Sequence, residues 1–495
     1  MAVWRGARCG RSIAQAPPVC ARGVGRCYNG ATAARMTPST ISDPPADAAA
    51  TRGTLLSRVV SMRPGEGRLV AWAWLYLFAV FTAYYVIRPI RDEAGVAGGV
   101  ANLSWLFSGT LLAMMAVNPP FAALVAALPR SRFIGLTYRF FMLNLLAFLV
   151  LFRASGGEGN VWVGRAFFIW TSVFNLFVVS VFWSFMADLF TNEQGKRLFG
   201  FIAAAATVGG IVGASVTAST VESLGVPTLL LVAAALLELG VFASRRLGAI
   251  APQFATPAKP KAGDAAAAPT GDSRAIGGGV LAGLTHALGS TYLLNICLYM
   301  LLYTILSTFL YFQQAAIVDA SFASRGARTA FFARVDLLVN VLTLSAQVLL
   351  TGRVTRRLGV AATLTGVPLL TAIGFLWLGL APAVAVVVGF LVLRRTGNFA
   401  FARPSREVLF TVVSREDKYK AKNFIDTVVY RLGDQVGAWS SSLVTMAGLG
   451  TGAIAWAAVP LALAWVANAW WLGRRQETMS TTASAPVVAR PAVAR

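Results

Sequence analysis

The chain has 495 residues, 57% of them apolar and 13% charged, and its mean hydropathy is +0.66. That balance excludes a soluble enzyme. A helix needs roughly 20 apolar residues to cross a bilayer, so twelve crossings use on the order of 240 to 260 positions, about the apolar half of the chain. Unbroken apolar runs also exclude a β-barrel, whose strands alternate apolar and polar residues. Lys and Arg total 43 against 20 for Asp and Glu, a formal charge of +23. In a membrane chain this excess marks cytoplasmic loops or a cavity for anions rather than a nucleic-acid partner.

Residues 1–68 form a basic leader or cytoplasmic tail. The first 35 carry six arginines (Arg5, Arg8, Arg11, Arg22, Arg26, Arg35) and no acid, without the apolar stretch of a secretory signal. Three readings stand: a start at Met36, an organelle transit peptide, or a functional basic tail. Cys9, Cys20, Cys27 and Cys297 give no disulfide framework or metal-ligand spacing. The single histidine, His286, sits in a linker, so no histidine metal site or haem ligation is expected, and no cofactor is implied.

Twelve spans are predicted at 69–90, 103–127, 133–152, 162–187, 199–220, 226–244, 291–318, 329–351, 360–380, 382–402, 422–445 and 451–472. The Ala-, Pro- and Gly-rich stretch 248–290 reads as a linker between two six-helix halves, 69–247 and 291–473, with 474–495 as a tail. Arg130 and Arg132 follow span 2, Lys196 and Arg197 follow span 4, Arg245 and Arg246 end span 6, and Arg353, Arg356 and Arg357 follow span 8. Arg403, Arg406, Arg415, Lys418 and Lys420 lie between spans 10 and 11. Loops after even-numbered spans, and both termini, are therefore expected in the cytoplasm. The bacterial inner membrane is the expected location, or an organelle membrane if the leader is a transit peptide.

The halves repeat each other. Thr82 recurs as Thr308, Leu189-Phe190-Thr191 as Leu409-Phe410-Thr411, and Gly209 and Gly213 as Gly433 and Gly437, all at offsets of 220 to 226. Two similar halves in one orientation resemble a major-facilitator-type transporter: all-α, integral to the membrane, with twelve transmembrane helices.

Ionisable groups inside spans are expensive and mark water-filled paths or paired sites. Span 1 ends Arg88-Pro89-Ile90-Arg91-Asp92-Glu93; Arg88 and Arg91 share a face, and Pro89 is expected to break the helix. A substrate site and a periplasmic cap are both open readings there. In span 10, Arg395, Asn398 and Arg406 fall on one stripe, suited to the bidentate recognition of phosphate or carboxylate. In span 11, Lys422 and Asp426 are spaced to pair within the helix, as are Tyr430 and Asp434. Arg139, Glu238 and Asp336 are isolated charges in spans 3, 6 and 8, each open to a packing or a pathway role, and Asp336 is a candidate coupling acid. No GxxxxGK[ST] loop occurs, so the driving force is a gradient rather than ATP hydrolysis.

These segments resemble the ATP:ADP antiporter family, the nucleotide translocases of plastids and obligate intracellular bacteria, in a divergent bacterial form. The family's first span ends R-D-x-K-D, matched by Arg88, Arg91 and Asp92 with Arg for Lys and Pro89 for the first acid. Its acid-x-x-K stretch before span 5 appears as Glu193 and Lys196 ahead of Phe199. Its proline and basic-acidic pair after span 10 appear as Pro404, Arg406 and Glu407. Its K-x-K-x-K-x-x-I-D-x-V with a following L-G appears as Lys418, Lys420, Lys422, Ile425, Asp426, Val428, Leu432 and Gly433. The resemblance implies that Arg91, Glu193 and Lys422 serve nucleotide recognition and exchange. A phosphate-bearing anion is the reading that the departures in span 1 leave intact.

The expected mechanism is exchange: Arg91, Arg395, Arg406 and Lys422 neutralise the solute's phosphates, and Glu193 and Asp426 hold those cations when the site is empty. Arg88 and Lys196 complete the expected binding set. The rivals are a proton-coupled facilitator using Asp336, Glu238 or Asp434, and a non-transporting scaffold or sensor.

Overall fold

The computed structural model describes residues 66–128, 130–154, 160–190, 192–251, 289–413, 421–422 and 424–484. The leader, most of the linker with His286, Lys418 and Lys420, and the last eleven residues lie outside the described residues. Among the described residues there is no strand. The helices are α1 (Glu66–Ala97), α2 (Leu103–Ala127), α3 (Arg130–Ala154) and α4 (Val161–Leu189). Helical structure Asn192–Ile250 then bends at Gly225 into α5 (192–224) and α6 (226–250). The second half holds α7 (Thr291–Ser321) and α8, which starts as Arg325–Ala346 and runs on to residue 358, then α9 (360–380). Next come α10, which starts as Val384–Gly397 and ends at Leu409, α11 (421–446) and α12 (Thr451–Ser484). The described residues form an integral membrane bundle of twelve helices in two six-helix halves, the major-facilitator-type fold.

Each helix starts at the end where its predecessor stopped, so odd-numbered helices run from a near end, where α1 begins, to a far end. Gly225 (φ 72°, ψ 167°) turns the chain at the far end and Gly359 (φ 78°, ψ 178°) at the near end. A side chain is strained at that backbone conformation, which is why both reversals use glycine and need no loop.

Pro89 does not break α1, contrary to the expectation from sequence. It is buried inside a continuous helix, and a packed neighbour helix tolerates the one hydrogen bond that proline removes. Breaks of another kind occur in the second half. π-helical turns interrupt α8 at Gln347–Thr351, α10 at Asn398–Ala402 and α11 at Ile425–Val429. The first two are tied together, since Gln347 Nε2 donates to the Phe399 carbonyl at 3.3 Å and Thr351 Oγ1 to the Ala400 carbonyl at 2.9 Å.

Two hydrophobic cores, one per half, flank a small third cluster at the seam. The first half packs Tyr76, Tyr138, Phe174 and Phe182 at its centre. The second packs Phe375, Phe410 and Trp465. Val96, Leu103 and Phe168 meet Phe312, Val318 and Ala438 between them, at the far end. Polar contacts follow the same seam. Ser442 Oγ donates to Ser104 Oγ at 2.8 Å, Ser108 Oγ to Gln435 Oε1 at 2.8 Å, and Trp439 Nε1 to Ser108 Oγ at 3.1 Å. Arg325 of α8 forms a two-pronged pair with Glu93 of α1 at 2.9 and 3.1 Å.

Candidate functional site: a cationic cavity between the halves

Below that seal lies a cavity of about 340 Å³ lined by both halves. The first half contributes Tyr84, Arg88, Arg91 and Asp92 from α1 and Thr171, Ser172 and Asn175 from α4. The second contributes Tyr311 and Gln314 from α7, Asp336 from α8, Arg394 and Arg395 from α10, and Tyr430, Arg431 and Asp434 from α11. A second cavity of about 500 Å³ adjoins it on the second half alone, sharing Tyr303, Asn398, Phe399 and Tyr430 with the first and adding Arg403, Arg406, Glu407, Lys422 and Asp426. Each volume falls within the roughly 300–1,000 Å³ of small-molecule sites.

Asp336 is the hub of the central cavity. Its side chain is 3% exposed, and its Oδ1 accepts from Arg88 Nη1 at 3.2 Å and Arg395 Nη1 at 2.7 Å. One carboxylate thus binds a cation from each half. Its Oδ2 and Arg395 Nη2 are buried without a hydrogen-bond partner. Beside them Arg91 donates to Asp92 Oδ1 at 2.9 Å, with its guanidinium carbon 4.0 Å from the centre of the Phe168 ring. Tyr311 of α7 donates to the same Asp92 oxygen at 3.2 Å, a second link across the halves.

Of the residues expected to bind solute, Arg88, Arg91 and Arg395 line the central cavity together with Asp336. Arg406, Lys422 and Asp426 line the second cavity. The side chains of Glu193 and Lys196, in the first turns of α5, lie outside the described residues.

Several expected pairings are replaced. Lys422 does not pair with Asp426: its ammonium meets Glu407 Oε2, and Asp426 takes Arg406 at 3.3 Å. The cause is tertiary, because the end of α10 lies beside the start of α11 and offers each group a closer partner than its own helix does. Asp434 is held by Arg431 at 3.3 Å and Thr308 at 3.5 Å rather than by Tyr430. Arg139 and Glu238, read from sequence as isolated, form a bidentate pair at 2.6 and 3.2 Å between α3 and α6. The single stripe through Arg395, Asn398 and Arg406 is divided by the π-turn Asn398–Ala402, so that Asn398 faces both cavities and the two arginines face one each. Asp336 and Asn340 interact through the backbone, the Asn340 amide donating to the Asp336 carbonyl at 2.8 Å.

Two cavity cations fall outside the expected set. Spacing along span 10 favours Arg395 over its neighbour Arg394; the available signal for Arg394 is the arginine doublet itself, inside an apolar run. Arg431 was visible only as one more charge after Asp426.

No protein-family model matches the sequence, and no curated protein matches it. Solved structures do match by shape. A bacterial homologue of the iron transporter ferroportin, in an inward-facing state, superposes with a TM-score of 0.54 at 15% identity, over 86% of this chain and 100% of that one. A POT family transporter in complex with 5-aminolevulinic acid gives 0.55 at 10% identity, over 83% of this chain and 96% of that one. An auto-inhibited POT family peptide transporter gives 0.53 at 15% identity, over 86% and 99%. The likeness is one of fold: this chain has the architecture of membrane transporters built from two six-helix halves.

Proposed function

We propose that the protein is a secondary transporter that exchanges phosphate-bearing anions, nucleotides first among them, by alternating access. The observation that carries this reading is the shared carboxylate: Asp336 neutralises Arg88 from one half and Arg395 from the other, inside a cavity between the halves. Guanidinium groups bind phosphate oxygens in matched, two-pronged geometry. An incoming phosphate competes with Asp336 for both arginines. Its loss leaves them facing each other until Asp336 or another anion returns. Reorientation while empty requires the Arg88–Asp336 pair to break and leaves Arg88 only the longer contact with Asp92 of its own helix, at 3.9 Å, which is costly for charges out of water. Reorientation while loaded does not, and obligate exchange follows.

In the central cavity Asp336 and Asp92 share the holding role that sequence assigned to Glu193 and Asp426, and Asp426 holds Arg406 in the second cavity. The tyrosines around the cavity offer stacking surfaces for a base. With the basic loops in the cytoplasm, the far-end seal faces outward and the two cavities form an inward-facing path. The test uses proteoliposomes loaded with radiolabelled ADP. Label should leave only when nucleotide is present outside, and equal efflux into plain buffer excludes the exchange reading.

One atom favours a second reading. Asp336 Oδ2 is buried without a partner, and it is where a proton would sit in a proton-coupled carrier. Uptake driven by a pH gradient alone, and abolished in Asp336→Asn, would select that reading.

A further inference from the structure

Five guanidinium groups line the central cavity and three carboxylates answer them. Asp336 serves Arg88 and Arg395, Asp92 serves Arg91 and, at 3.9 Å, also Arg88, and Asp434 serves Arg431. Arg394 has no carboxylate partner among the described residues. It is nevertheless buried, at 4% exposure. Its Nε donates to Thr371 Oγ1 at 3.1 Å, and its Nη2 to Ser307 Oγ at 2.8 Å and to the Tyr303 carbonyl at 3.2 Å. Those acceptors are neutral: they fix the guanidinium in place and leave its charge uncompensated. Its Nη1 has no acceptor among the described residues. The Tyr303 and Trp465 rings hold the group from the side, 5.4 and 6.0 Å from its carbon.

A buried cation without a counter-charge is expensive, and such groups inside membrane bundles mark sites rather than scaffolding. We infer that Arg394 is the fixed anchor for a phosphate of the cargo, and that the site accepts only anions bearing at least two negative charges. The excess of arginines over carboxylates leaves two positive charges to be matched. A dianion matches both on entering, whereas a monoanion of the same shape pays its own desolvation and still leaves one cation bare. Arg394 is spent on no protein carboxylate, so it needs no exchange of partners and stays with the second half throughout the cycle. Arg88 and Arg395 trade Asp336 for phosphate instead. This inference rests on the anion-carrier reading above and adds the charge rule to it.

The test is thermal unfolding of the full-length protein in nanodiscs with AMP, cyclic AMP and inorganic pyrophosphate. AMP and cyclic AMP share a base and a sugar and differ by one phosphate charge. Wild-type protein should be stabilised by AMP and pyrophosphate and not by cyclic AMP. Arg394→Gln keeps hydrogen-bonding capacity and removes the charge. The empty variant should melt at or above the wild-type temperature, bind AMP at least about tenfold more weakly, and no longer discriminate against cyclic AMP. Lower stability when empty together with unchanged AMP affinity makes Arg394 a packing residue and overturns the inference. If Arg394→Gln does not fold, Arg394→Lys decides: it keeps the charge and loses the fork, so undiminished AMP affinity overturns the anchor. Should no anion stabilise the wild type, the carrier reading itself fails, a different result from any of these.

Discussion

Gly213 of α5 lies against Thr82 and Tyr85 of α1, and Gly437 of α11 lies against Ile305 and Thr308 of α7. The glycines are 224 residues apart and the threonines 226, so the same close crossing is built twice. The charges are not. At an offset of 226 Arg88 of α1 corresponds to Gln314 of α7, and at 220 Asn175 of α4 corresponds to Arg395 of α10. All four line the central cavity. The first half therefore puts its cavity cations on its first helix, the second half puts Arg394 and Arg395 on its fourth and Arg431 on its fifth, and at these two matched positions each half has a neutral amide where the other is charged. A duplicated scaffold has been given a single, asymmetric site, and Asp336 is where the two cationic helices meet.

The largest effect should come from that meeting point. Asp336→Asn leaves Arg88 and Arg395, 20% and 18% exposed, without their shared carboxylate. Removing one partner of a buried ionic group costs about 3–5 kcal/mol, read as the loss in denaturant or thermal unfolding of the detergent-solubilised protein. Adding Arg88→Gln removes one of the stranded charges and should recover part of that loss. Wild-type stability in Asp336→Asn would break the comparison, since the arginines would then be held by something other than this acid.

The scaffold should respond symmetrically. A β-carbon at Gly213 would stand 2.9 Å from Tyr85 Cβ, and one at Gly437 would stand 2.8 Å from Thr308 Cβ and 3.1 Å from the Ile305 carbonyl. Neither neighbour is a flexible chain end, so the helices must separate. Gly213→Ala and Gly437→Ala should each cost about 1–3 kcal/mol, the range for overpacked contacts, measured as above. A loss at one site only would show that the duplicated crossing bears load in a single half.

Much of this was legible in the sequence because it is periodic. Apolar runs of bilayer length marked every helix but α11, which Lys422, Asp426, Arg431 and Asp434 interrupt, and the matched glycines and threonines marked the repeat. Arg88, Arg91, Arg395 and Asp336 stood out because a charge inside an apolar run is rare. Pairing was not legible. Spacing along one helix nominated Lys422–Asp426 and Tyr430–Asp434, whereas Glu407, Arg406 and Thr308 reach these groups from other helices. The π-turns in α8, α10 and α11 have no local signature either, so the turn that parts Arg395 from Arg406 appeared only with the fold. Arg394 was hidden for a related reason, since what distinguishes it is a partner that it lacks.

The smallest effect sharpens the contrast between the two cavities. The pairs of the central cavity include one that spans the halves, Arg88–Asp336; those of the second cavity, Lys422–Glu407 and Arg406–Asp426, lie wholly within the second half. Pairs of the latter kind travel with one body and need not break when the halves rock. Lys422 and Glu407 are also 32% and 45% exposed, so solvent screens them, and Glu407→Gln should cost less than about 1 kcal/mol in unfolding. In exchange assays it should lower the nucleotide concentration at half-maximal rate more than it changes the maximal rate, because Lys422, freed of its competing carboxylate, guards the approach rather than coupling the halves. A fall in maximal rate matching that of Asp336→Asn would instead make the second cavity part of the switching mechanism, and the line drawn between the two would have to go.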